Sequence, residues 1–202
     1  MLRIQEIVNS IFTSKTYVIY KEGERLAWLV DIGDVAPVMA FLKENKLTVA
    51  GVFLTHGHFD HMYGLPALME QEPEAKIYAT AYTREMIAST KLNLSKYNET
   101  PVSYPGDNVL VVQEGDKLQL FEGEAPMEFY ETPGHNPGCL TMVLADKVFT
   151  GDAYIPGIGV NTTVPKSDKV LASQSLDRIR KLAEGRTVLS GHQIDNYLRL
   201  NG

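Results

Sequence analysis

A single cysteine, Cys139, leaves no partner for a disulfide within the chain, and a reducing compartment such as the cytoplasm is the expected setting. Such a thiol is read as a small buried side chain rather than a reactive group. No apolar run approaches the ~20 residues that span a bilayer, so no membrane partner is expected. The opening Met1-Leu2-Arg3-Ile4-Gln5-Glu6 has no charged-then-apolar signal layout. Cationic surplus is missing too: 19 Lys and Arg face 25 Asp and Glu, for a net charge of −6. That argues against nucleic acid, whose phosphates need clustered Lys and Arg, and leaves a small-molecule substrate. Hydrophobic residues make up 44% and charged residues 22%, an ordinary globular balance, and one domain over 1–202 is expected. Nothing in the sequence sets an oligomeric state.

Histidine is scarce as well, with five in all, yet every one falls in a stretch suited to metal. Three lie in Thr55-His56-Gly57-His58-Phe59-Asp60-His61, and the others are His135 and His192. The pattern around them places each at the end of an extended segment. Residues 48–55 form a near-continuous apolar run, as expected of a strand buried on both faces, and the histidine cluster begins where it stops. Thr132-Pro133-Gly134-His135-Asn136-Pro137-Gly138 is a stiff turn after a strand. Gly151-Asp152 and Gly191-His192 each put a candidate donor just past a strand.

The remaining pattern alternates strands and helices. Strands are expected at 2–8, 16–20, 25–30 and 75–80, with a hairpin turn at Lys21-Glu22-Gly23-Glu24. Helices are expected after Asp34, which is placed as an N-cap, and over 63–70, 81–90 and 168–184. Asp31 is read either as a turn residue or as support for a ligand. Residues 91–107 are polar, with Pro101, Pro105 and Gly106, and are expected to wall a pocket. Segments 108–112, 116–121, 127–132, 139–144 and 147–150 read as an antiparallel meander, and 186–190 as a last strand. Two layered sheets with outer helices follow.

Neutral imidazole and carboxylate suit a borderline divalent ion such as zinc. Alternation along an extended stretch puts His56, His58 and Asp60 on one side, while His61 breaks the pattern. With His135, Asp152 and His192 there are seven candidate ligands, too many for one tetrahedral ion. They divide over two ions if one carboxylate bridges, and two ions roughly 3.5–4 Å apart can share a hydroxide.

These motifs resemble the metallo-β-lactamase superfamily, of the glyoxalase II type. His56-Gly57-His58-Phe59-Asp60-His61 with Gly64 is similar to the family's His-x-His-x-Asp-His stretch. Thr132-Pro133-Gly134-His135, Thr150-Gly151-Asp152 and Ser190-Gly191-His192 resemble its later motifs, in the same order. The resemblance implies an α+β fold, a four-layer αββα sandwich with metals at one edge of the sheets. It implies that His56, His58 and His135 hold one metal, that Asp60, His61 and His192 hold a second, and that Asp152 bridges them. The cofactors implied are two divalent ions, Zn2+ foremost, with Fe or Mn as substitutes. Retention of Asp60 and Asp152 without an export signal leads away from lactam hydrolysis. No insertion matches the RNA-grasping arm of transfer-RNA-processing relatives.

The expected function is a metal-dependent hydrolase whose bridging hydroxide attacks a carbonyl carbon, with Asp60 as the catalytic residue that orients it. The substrate class implied is a thioester, as for hydroxyacylglutathione hydrolase, or a related ester. Glyoxalase II proper adds a C-terminal helical region that helps bind glutathione, and the ten residues after His192 are too few for it. The Gly-Arg that the family tends to carry after the bridging Asp corresponds here to Gly159-Val160, so the shorter bacterial members are the better match. Tyr154 is read as a wall residue ahead of an oxyanion donor, and Asn161, Thr162 and Lys166 as candidates to face the pocket. The alternatives are a lactonase and a single-iron persulfide dioxygenase, which carries a stretch resembling Pro137-Gly138-Cys139.

Overall fold

The computed structural model describes residues 1–193; residues 194–202, which include most of the short tail after His192 and the end of the expected domain, lie outside the described part. Two sheets are formed, one ordered β1-β2-β3-β4-β5-β6 and the other β11-β10-β9-β8-β7. The first holds β1 (Leu2–Val8), β2 (Lys15–Lys21), β3 (Leu26–Val30), β4 (Thr48–Phe53), β5 (Lys76–Ala79) and β6 (Val109–Val111). The second holds β7 (Lys117–Leu118), β8 (Met127–Glu131), β9 (Leu140–Leu144), β10 (Lys147–Gly151) and β11 (Thr187–Ser190). Helices α1 (Val35–Asn45), α2 (Leu65–Gln71), α3 (Ala81–Ile87) and α4 (Lys169–Leu182) complete the order. Among the described residues no helix is long and apolar enough to cross a membrane.

Strand alternation builds the layers. Val18, Ala27, Leu29, Val52 and Ile77 point to the outer face of the first sheet, where Val38 and Leu42 of α1 and Leu65 and Leu68 of α2 cover them. Their neighbours Tyr17, Ile19, Trp28, Val30 and Phe53 point the other way and meet Met127, Phe129, Leu140, Met142 and Phe149 of the second sheet. Both faces are therefore buried, which is why β4 reads as unbroken apolar sequence. On the outside of the second sheet, Ile179 of α4 packs with Cys139 and Ala153, and Ser175 Oγ donates to Pro133 O at 2.6 Å. The result is the αββα sandwich expected from the motifs.

Three expectations are corrected. Residues 108–112 do not open a meander: β6 pairs parallel with β5 in the first sheet, Ile77 facing Val109. The physical reason is α3, a helical crossover that returns the chain to lie alongside β5, as parallel pairing requires. The stretch 116–121 pairs only over Lys117–Leu118, and Leu120 and Phe121 leave the ladder to fill the inter-sheet core. Asp34 occupies the N-cap position of α1, but its side chain makes no cap bond; it accepts from Ser10 N at 2.6 Å and Ser10 Oγ at 3.0 Å.

Candidate metal centre

Donors come from the ends of β4, β8, β10 and β11, and their side chains converge. The alternation expected through Asp60 stops at His58, because Phe59–His61 winds into a 3-10 turn. That turn, not a strand, brings Asp60 and His61 inward together. His58 Nδ1 lies 3.1 Å from His56 Nε2 and 3.0 Å from His135 Nε2. A second triangle has edges of 3.3 Å (His61 Nε2 to His192 Nε2), 3.4 Å (His61 Nε2 to Asp60 Oδ2) and 3.3 Å (His192 Nε2 to Asp60 Oδ2). Asp152 sits between the two, with Oδ2 at 3.2 Å from His192 Nε2 and 3.6 Å from His135 Nε2, and Oδ1 at 3.5 Å from His61 Nε2.

These spacings fit cations. Ligands about 2.0–2.1 Å from a tetrahedral ion lie roughly 3.3–3.4 Å from one another. Hydrogen bonding among the nitrogens does not explain the first triangle. His135 Nδ1 faces the carbonyl of Asn161 at 2.8 Å, an acceptor only, so the ring proton sits there and Nε2 is a bare lone pair. Thr55 Oγ1 donates its one proton to Asp31 Oδ2 at 2.7 Å, so at 3.1 Å it accepts from His56 Nδ1, and His56 Nε2 is bare as well. His58 Nδ1 can donate to one of them at most. Asp152 Oδ1 is buried without a hydrogen-bond partner, a group that a cation satisfies.

The orienting groups lie one step out. Asp31 Oδ2 accepts from His61 Nδ1 at 2.8 Å, and the Phe12 carbonyl accepts from His192 Nδ1 at 2.9 Å. Asp31 therefore aims His61 directly and His56 through Thr55, and at φ 57° just past β3 it is also a turn residue, so both sequence readings fit it. Close packing is also built in: a Cβ on Gly191 would collide with Asp152 Oδ1 and meet His61 Cε1 at 2.9 Å. Gly134, at φ +143°, would drive a Cβ into Ala172 of α4.

Electrostatics split the histidines. Burial, with the nearby His135, pushes His58 down to about 3, so it is neutral and ready to bind a cation. Burial, with His61 and His58, likewise holds His56 well below its usual range. For His61 burial is opposed and outweighed by Asp60, Asp152 and Asp31, which raise it to about 10. Burial would raise Asp152, but His192 and His61 hold it well below the usual carboxylate range. The carboxylates thus draw positive charge to this spot. Asp31→Asn is expected to weaken metal binding by about 10–100-fold through loss of aim at His61 and His56. Competition with a chromophoric chelator measures it; unchanged affinity removes the role given to Asp31.

The donors open on a cavity of about 290 Å³ lined by Phe12, His58, Phe59, Asp60, Leu94, His135, Asp152, Asn161, Val164 and His192. The 91–107 stretch contributes Leu94. It is tied down there, since Asn93 O accepts from Phe59 N at 3.0 Å and Asn93 Nδ2 donates to Val102 O at 2.8 Å. Asn161 is at the cavity as expected, but Thr162 and Lys166 are not among its lining. Neither is Tyr154, which packs beside Cys139, Ala153 and Ile179. Cys139 is buried, and burial pushes its thiol up, away from reactivity. Phe12 and the carbonyls of Phe12 and Asn161 escaped the sequence reading. A backbone carbonyl carries no residue signature, and a lone Phe reads as core.

The family model described as the metallo-beta-lactamase superfamily matches residues 11–192. The hydroxyacylglutathione hydrolase of Hahella chejuensis is 30% identical over 172 residues, 83% of this chain and 57% of that protein. The chain thus spans little more than half the length of that relative. A Bacillus subtilis protein named "Probable metallo-hydrolase YqgX" is 30% identical over 165 residues, 79% of this chain and 76% of that one. Among solved structures, BLEG-1 B3 metallo-beta-lactamase superposes with a TM-score of 0.84 at 25% identity, covering 95% of this chain and 92% of that one.

Proposed function

This chain belongs to the metallo-beta-lactamase superfamily, and from that premise we propose that it is a binuclear metal-dependent hydrolase acting on a thioester or a related ester. The observation that carries the proposal is the pair of donor triangles joined by Asp152. In this reading His56, His58 and His135 hold one divalent ion, Asp60, His61 and His192 hold another, and Asp152 reaches both. Imidazole and carboxylate donors suit zinc. When bound, such ions bring the pKa of water toward neutrality and polarise a carbonyl oxygen.

The chain's own residues supply position. Asp60 lines the cavity, and its backbone carbonyl is held by Ser14 Oγ at 2.7 Å, so its carboxylate has a fixed aim. It accepts a hydrogen bond from the attacking water and orients it toward the carbonyl carbon. Asp31, Thr55 and the Phe12 and Asn161 carbonyls keep four imidazoles in register while charge shifts. Outside the donor set, Asn161 is the one polar residue lining the described cavity, and an amide is no general acid. The proton given up by the water passes to Asp60 or to solvent, and no further side chain among the described lining residues is placed to protonate a poor leaving group. A thiolate, with a thiol pKa of about 8.5, can depart unprotonated where an amine cannot. That favours thioesters over amides. The Pro137-Gly138-Cys139 stretch is structural here: Gly138 O accepts from Thr80 and Thr83, and Cys139 is buried.

Metal analysis of protein purified without added metal, followed by a panel of thioesters, esters, lactones and phosphodiesters, tests the reading. Two ions per chain and thioester turnover, lost on chelation and restored by zinc, are expected. One iron per chain with oxygen uptake would replace the hydrolase with an oxidoreductase.

A further inference from the structure

The loop joining β1 to β2 is strained, anchored to the metal centre and tipped with an aromatic ring. Phe12 and Thr13 are consecutive non-glycine residues in the left-handed region, at φ 51° and 56°. Side chains disfavour that conformation, and it persists only where surrounding contacts hold it. Here they do. Asn9 N donates to Ser14 O at 2.8 Å, and Asn9 Nδ2 donates to Ser14 Oγ at 3.1 Å. Ser14 Oγ reaches Asp60 O, and Gln193 N donates to Thr13 O at 3.1 Å. The Phe12 carbonyl serves His192, a task any residue could perform. The ring is a separate matter. It stays 54% exposed, lines the cavity and meets Phe59 edge-on at 5.7 Å.

Apart from the donors and Asn161, the residues lining the cavity are apolar: Phe12, Phe59, Leu94 and Val164. Among the described residues its lining contains no Lys or Arg. A carboxylate brought against this wall would be desolvated without a partner. At about 290 Å³ the space is at the small end of ligand pockets, roughly 300–1,000 Å³. We infer that the Phe12 ring is a specificity-determining residue, forming with Phe59, Leu94 and Val164 a clamp for a small uncharged apolar group on the substrate. Substrates that bring carboxylates to this wall, glutathione thioesters among them, are turned away. The inference rests on the hydrolase reading for its substrate class.

Two thioesters with one acyl group, S-benzyl thioacetate and S-acetylglutathione, separate the alternatives on the zinc-loaded protein. The benzyl thioester is expected to have a kcat/KM at least about tenfold higher. Phe12→Ala keeps the carbonyl and should keep the metal content. It should lower kcat/KM on the benzyl thioester about 10–100-fold, mainly through KM, with Phe12→Leu recovering most of the loss. Calorimetric binding of benzyl thiol and of glutathione reads the same wall without turnover. Cleavage that prefers acetylglutathione, or is indifferent to Phe12→Ala, overturns the clamp and leaves the hydrolase. Selective, Phe12-dependent binding of benzyl thiol without cleavage of either thioester leaves the clamp and removes the hydrolase. Binding of neither thiol also overturns the clamp.

Discussion

His58→Ala is expected to reduce turnover by at least about 10³-fold while the chain still folds. His58 Nδ1 is the shared vertex of the first triangle, within 3.1 Å of one nitrogen and 3.0 Å of the other. Without it two imidazoles face a site that needs at least three protein ligands. The fold should survive because its apolar clusters lie elsewhere, under α1 and α2 and between the sheets. With a pKa near 3, His58 is uncharged at neutral pH, so its loss breaks no ion pair. Each 1 kcal/mol lost on trimming the buried ring lowers the melting temperature of a chain this size by about 2–4 °C. Circular dichroism, melting of the cation-free proteins and metal analysis on one preparation check the outcome. Wild-type-like turnover in the variant would remove the metal mechanism. A chain that fails to fold would show that His58 is a structural residue.

Asp152→Asn carries the second large effect. The substitution preserves shape and removes the charge that both triangles share, so bound ions should fall from two per chain to one or none. Turnover should drop by about 10³-fold or more, since one ion cannot clamp both sides of the displacement. Asp152 is held ionised by His192 and His61, and its Oδ1 has no hydrogen-bond partner. An amide offers a weaker oxygen donor and no negative charge to offset a cation. Inductively coupled plasma analysis counts the ions, and turnover on whichever panel substrate is hydrolysed gives the rate. Two ions per chain with unimpaired turnover would refute the bridging role.

Much of the site was legible from residue type. Metal ligation draws on few side chains, so a scarce residue concentrated at strand ends stands out, as His56, His58, His61, His135 and His192 do. The buried strand β4 was legible for a related reason, because a strand covered on both faces has no polar positions. Other features had no such signature. Asp34 looks like a cap, and only the approach of Ser10 diverts its carboxylate. Residues 108–112 read Asn-Val-Leu-Val-Val, an apolar run that suits a strand in either sheet, and periodicity does not say which sheet receives them. The helical crossover before them was the clue to parallel pairing. The Phe12 loop shows in sequence as Ile11 and Phe12 between short polar residues, with nothing to mark two left-handed residues in a row.

Chain order and covalent identity carried the choice of donors and the apolar alternation that demands two faces for each central strand, while the bonds from Thr55 to Asp31 appear only in the folded chain. Distance was another matter. His61 and His192 are 131 residues apart in the chain, and their nitrogens stand 3.3 Å apart because two sheets pack face to face. That packing brings the ends of β4, β8, β10 and β11 to one site, and Tyr17 OH ties the sheets together by donating to Ser190 O at 2.7 Å. Ligand chemistry is a property of single residues, so it survives in a string of letters. Convergence, tautomer and the aim of a backbone carbonyl arise from non-local burial, so they exist once the two layers have closed.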